Sequence, residues 1–141
     1  MTSTATDRTS STVPPDGLRF AAAGVFLEAL AAQDFARLGS VIRADAQLQA
    51  LVPRGLREWQ GREQICSAFA GWFGDTDDCQ LVEAVIGDVG VRLHMHWRAR
   101  LRAPRLGPGW FVVEQQVYAD TDGRGRIAKL RLLCSGYCPE P

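Results

Sequence analysis

His94 and His96 stand two residues apart in the stretch VRLHMHWRAR, and Glu114, Gln116 and Tyr118 alternate within WFVVEQQVYAD. Their types and spacing are the ones in this chain best suited to chemistry. Alternate residues on a strand share a face with Cα atoms roughly 6.6 Å apart, which one metal ion can bridge through two imidazoles. A zinc site needs three or four ligands. The remaining residues on the histidine side, Arg92, Arg98, Arg100 and Arg102, repel a cation, so no metal is expected. Val91, Leu93, Met95, Trp97, Ala99 and Leu101 make the opposite, apolar side of the same strand, which must face the core. The histidine side then reads as a solvated surface, or as a contact that stacks guanidinium groups on a partner's rings.

Glu114 offers general acid–base chemistry if its face is turned inward. A desolvated carboxylate rises in pKa toward the range useful for proton transfer. Gln116 and Tyr118 could then orient a carbonyl or donate to an oxyanion. If that face is turned outward, Glu114 pairs with the arginine stripe instead. Both readings stay open on the sequence. Cys134, on the side of Leu130 and Leu132, reads as a buried thiol, because no inward histidine is at hand to activate it. Arg57 and Glu58 fall in an expected loop before the third helix, which would lie near a cavity mouth if the fold holds one, and a surface ion pair is the plainer reading. Trp72 and Trp97 read as core, although pocket-lining aromatics also suit flat ligands.

These residues need a scaffold, and the composition narrows it. The chain has 141 residues, 46% hydrophobic and 23% charged, which suits a single domain that stays in solution. Lys+Arg and Asp+Glu both number 16, so no global charge draws the chain to nucleic acid or an anionic membrane. No apolar run is long enough to span a bilayer. Residues 1–17, rich in Ser, Thr and Pro, are expected to form a disordered tail without the apolar core of a secretory signal. The expected compartment is therefore the cytoplasm, with Cys66, Cys79, Cys134 and Cys138 reduced.

From Leu18 the spacing is helical, with Phe20, Ala23, Phe26, Leu27 and Leu30 on one stripe. Asp34 caps a second short helix carrying Phe35, Leu38, Val41 and Ile42. Residues 46–52 alternate as a strand closed by Pro53 and Gly55, and residues 61–73 return to helical spacing. Strands are then expected at 79–86, 91–102, 110–120 and 126–136. The expected class is α+β, three helices packed on a curved, mainly antiparallel sheet, with the domain spanning 18–141.

That order, together with the pieces AAQDFARL and DGRGRIAKLRLL, resembles the nuclear transport factor 2-like superfamily, and within it the SnoaL-like branch of polyketide cyclases and ketosteroid isomerase-like proteins. The resemblance implies a cone-shaped barrel with a cavity for a small apolar or aromatic ligand, and a homodimer formed through the outer sheet face. It further implies that Val112, Glu114, Gln116 and Tyr118 line the cavity, together with Phe69, Trp72, Trp97, Leu132 and Cys134. An enzyme of this kind would be a cofactor-free cyclase or isomerase, with Glu114 removing a proton next to a carbonyl and Gln116 and Tyr118 stabilising the enolate. The alternative is a non-catalytic ligand-binding or interaction module. The positions matching the Asp–Arg–Asp set of epoxide hydrolases of this fold, about Trp97, Ala99 and Leu132, are apolar. The first helix lacks the tyrosine of ketosteroid isomerases, and Asp45 precedes its expected strand rather than pointing inward.

Overall fold

The computed structural model describes residues 15–141, and their side chains from Gly17 onward. Its elements are α1 (Pro15–Ala31), α2 (Phe35–Gly39), β1 (Ile42–Val52), β2 (Gly55–Gln60), α3 (Arg62–Phe73), β3 (Asp78–Val89), β4 (Arg92–Arg102), a 3-10 turn (Pro104–Leu106), β5 (Phe111–Thr121), β6 (Ile127–Cys134) and β7 (Cys138–Pro139). Residues 1–14 of the expected tail lie outside the described residues, and Pro15–Gly17 open α1 instead. Asp34 caps α2 as expected, its Oδ1 accepting from the Arg37 amide at 3.0 Å. The second helix stops at Gly39, however, and Ile42 begins β1. Gly39 sits too close to α3 for a side chain, since a Cβ there would stand 2.8 Å from Cys66 Sγ.

The strands run β2-β1-β6-β5-β4-β3 in one sheet, with β1 and β6 parallel and the other neighbours antiparallel. The three helices cover its concave face in an α+β architecture. The sheet curves around those helices as an unclosed cone, with β2 and β3 as its two edges. Its interior is filled by fully buried Phe26, Phe69, Phe73, Met95 and Trp97, with Leu93, Leu101, Leu48 and Ile65 around them. Phe26 meets Phe69 edge to face at 5.4 Å and Trp97 at 5.7 Å, so the depth of the cone is an aromatic core.

Two strands were not legible. Residues 55–60, expected as turn and loop, form β2, which pairs with β1 from Gln47–Gln60 to Val52–Gly55. Gly55 takes φ +123°, which lets Val52–Gly55 close the hairpin tightly. The last strand splits in two. Between the pairs Gln115–Cys134 and Val112–Cys138, β5 contributes two intervening residues and the other side three, a bulge at Ser135–Tyr137. The bulge turns Tyr137 toward α3, where its hydroxyl donates to the Trp72 carbonyl at 2.6 Å.

Candidate functional site

Register decides which face each polar residue occupies. Across β4 and β5, Trp97 stands opposite Gln115 and Arg98 opposite Glu114. Directly opposed residues share a face. Trp97 is fully buried, so Gln115 points into the core, and its side chain is 1% exposed. Glu114 then lies on the convex face with Arg98. This corrects the expectation that Val112, Glu114, Gln116 and Tyr118 line the cavity: all four belong to the outer face, and the buried set on β5 is Val113, Gln115, Val117 and Ala119.

The outer face is a connected polar network. His96 Nε2 donates to Glu114 Oε2 at 2.9 Å, and Arg98 Nε donates to Glu114 Oε1 at 3.0 Å. These hydrogen bonds, the histidine's first, hold the Glu114 carboxyl below the usual carboxylate range. His94 Nε2 lies 3.2 Å from Gln116 Oε1, and its ring lies 4.8 Å from that of Tyr118. A carboxylate that is two-fifths exposed and held below its ordinary pKa is a weak base, the opposite of what proton abstraction needs. Asp45 lies within β1, exposed, with both carboxylate oxygens on the Arg43 guanidinium. Trp97, Ala99 and Leu132, at the epoxide-hydrolase positions, are buried in the core.

At the open end of the cone lies a cleft of about 680 Å³, bounded by the β1–β2 turn, β2, α3, the 3-10 turn and the C-terminal bulge. Its walls are Trp59, Trp72, Tyr137, Phe111 and Leu106, and its rim carries Arg54, Arg57 and Arg105. Trp59 and Arg57 alternate on β2 opposite the buried Leu48 and Ala50, which turns both toward the concave side. Trp72 on α3 meets Trp59 edge to face at 5.5 Å and Phe69 at 5.2 Å. The aromatic core is thus continuous with the cleft wall. Arg105 donates to the carbonyls of Trp72, Gly74 and Asp75, closing the C-terminal end of α3. Gly136, at φ +77°, lets the bulge approach Pro53, where a Cβ would come within 2.6 Å of the proline Cγ.

Of the residues expected to line a cavity, the structure brings Trp72 and Cys134 to this cleft. Phe69, Trp97 and Leu132 are core, and Val112 is on the outer face beside β7. Trp59, Tyr137, Phe111, Arg54 and Arg105 were not anticipated. Beside Cys134 lies a buried polar group: Gln115 Nε2 donates to Cys134 Sγ at 3.3 Å, while Gln115 Oε1 and Trp97 Nε1 have no hydrogen-bond partner among the described residues. Among the described residues no aspartate, glutamate or histidine lines the cleft.

No family model and no curated protein matches the chain. Solved structures do match it. A candidate polyketide cyclase of Xanthomonas campestris superposes with a TM-score of 0.66 at 14% identity, covering 85% of this chain and 92% of its own. A Catenulispora acidiphila protein of ketosteroid isomerase-like fold, solved with trimethylamine, gives 0.63 at 18% identity, covering 82% and 85%. An LEH-like epoxide hydrolase of M. tuberculosis gives 0.59 at 19% identity, covering 82% and 80%. The chain has the NTF2-like fold that SnoaL-like and ketosteroid isomerase-like proteins share. Fold alone does not carry an activity.

Proposed function

We propose that this protein binds a small, flat, largely apolar molecule at the mouth of the cone and acts there as a binding module rather than as an acid–base enzyme. The observation that carries this reading is the Trp59–Trp72 pair, two half-buried indoles from different elements facing one open cleft. Half-buried indoles at a concave surface leave apolar ring area in water that a flat ligand would cover. A cleft of about 680 Å³ is of the size that holds one small organic ligand. A fold neighbour solved with trimethylamine is in keeping with a small-molecule role.

The cyclase or isomerase reading required a desolvated base. Glu114, its candidate, sits on the other side of the sheet in a charged network. Cys134 reaches the cleft, but no histidine stands beside it there among the described residues. Calorimetry with 2-naphthylmethanol, a neutral flat probe, tests the binding reading. Saturable binding to the wild type that is lost in Trp72→Ala is expected. Equal heats for both proteins would overturn it.

The outer sheet face is our proposed contact with a second copy of the chain. Leu51, Leu133 and Val85 are exposed there, about half of each side chain open to water, beside the His94–Tyr118 and His96–Glu114 pairs. Light scattering on the wild type and Leu133→Lys tests it, with a dimer expected for the former and a monomer for the latter. A monomeric wild type would refute it. The four free thiols suit a reducing compartment, and the cytoplasm is the one we assign.

A further inference from the structure

We propose that the cleft selects an anion, so that its ligand is a small aromatic or polycyclic carboxylate whose ring lies on Trp59 and Trp72 and whose charge meets Arg54 and Arg57. The inference rests on the binding reading above and adds the ligand's charge class to it.

Three cations ring the cleft and no acid lines it among the described residues, although the chain as a whole has a formal net charge of zero. The three are not equivalent. Arg105 has its guanidinium occupied by the carbonyls at the end of α3 and stacks over Tyr137 at 5.8 Å. It is part of the wall. Arg54 and Arg57 make no hydrogen bond or ion pair with any described residue, whereas Arg19, Arg37, Arg43, Arg92, Arg98 and Arg100 each pair with a carboxylate. The nearest acid in sequence, Glu58, is removed from them by strand alternation. It stands opposite Gln49 and accepts from that residue's amide at 3.0 Å, on the outer face.

The hairpin supplies the placement. Arg57 faces Ala50, whose small side chain leaves room above the concave surface, and Arg54 lies in the tight turn before Gly55. Trp59 is two residues from Arg57 on the same face of β2, so one flat molecule spans both. A guanidinium presents a planar fork that matches a carboxylate with two parallel N–H donors. Phosphate-bearing ligands would meet the same fork, but the rim offers neither a glycine-rich loop nor a helix N-terminus for their further oxygens. The apolar walls also favour a ring over a polyanion.

Calorimetry with 2-naphthoate and with 2-naphthylmethanol, on the wild type and on the Arg54→Gln/Arg57→Gln double variant, tests this. Both positions are exposed, so the variant keeps the fold. The wild type is expected to hold the carboxylate about tenfold more tightly than the alcohol at low salt. The double variant should lose that preference and keep its affinity for the alcohol. Equal affinity of the wild type for both probes would overturn the anion inference and leave the binding reading standing. Binding of neither probe would overturn both.

Discussion

Trp59 and Trp72 touch edge to face, ring centroids 5.5 Å apart and planes at 79°, although one comes from an edge strand and the other from α3. The contact ties β2, at one end of the sheet, to the helix layer. It therefore has a structural consequence beside the binding role proposed for it. Trp59→Ala and Trp72→Ala are each expected to lower stability by about 0.5–3 kcal/mol. The two losses should be less than additive in the double variant, because both remove the same contact. Urea denaturation of the four proteins checks this. Strict additivity would mean that the rings do not support each other in solution.

The outer network predicts a pH dependence. His96 and Arg98 hold Glu114 below the ordinary carboxylate range. The group thus contributes stability that is present above the unfolded carboxylate pKa and lost as pH falls through the folded value. The side chain is 39% exposed, so solvent screening keeps the contribution small. Glu114→Gln should lower the urea midpoint near neutral pH, and the difference from the wild type should close in acid. A difference that grew on acidification would contradict the geometry.

Much of the fold was legible because its signals are local. The period-two pattern of residues 91–102 placed Leu93 to Leu101 inward, and all of these alternate residues are buried. Asp34 announced α2. Val91, however, assigned to the same inward set, stands 87% exposed in the β3–β4 turn. The site was less legible because it depends on register and on non-local approach. WFVVEQQVYAD alternates valine and polar residues on both sides, so its own pattern cannot say which face is buried, and pairing with Trp97 decides it. GLREWQ was hidden by the breakers Pro53 and Gly55, which close a hairpin rather than end a strand. Tyr137 reaches the cleft through a one-residue bulge, which leaves no periodic trace.

Gln115 predicts a gain in stability on substitution. Its Oε1 is buried with no partner among the described residues, and an unpaired buried acceptor costs about 1–3 kcal/mol. Gln115→Leu removes that atom and fills the same core position. An increase of about 1 kcal/mol in unfolding free energy is expected after the loss of the weak contact to Cys134. Destabilisation would mean that the amide oxygen is hydrogen-bonded in solution.

The thiols should react in a defined order. Burial pushes the Cys66 and Cys79 thiols up, so their reactive thiolates are scarce at pH 8, while Cys138 is exposed. Dithionitrobenzoate should modify Cys138 first and Cys66 and Cys79 last. Cys134, at the base of the cleft, should be shielded by 2-naphthoate. Four equal rates, unchanged by the probe, would contradict the burial pattern.

The most direct test uses the chain's four tryptophans as reporters, two in the cleft wall, one in the core and one outside. Trp110 is not part of the cleft lining and packs against the guanidinium groups of Arg100 and Arg102, at 3.8 and 4.8 Å from its ring centroid. Titrating 2-naphthoate while following the indole N–H resonances by NMR should move those of Trp59 and Trp72 saturably and together, leaving Trp110 in place. Indoles that stay fixed throughout, or a shift confined to Trp110, would contradict a ligand site at the mouth of the cone.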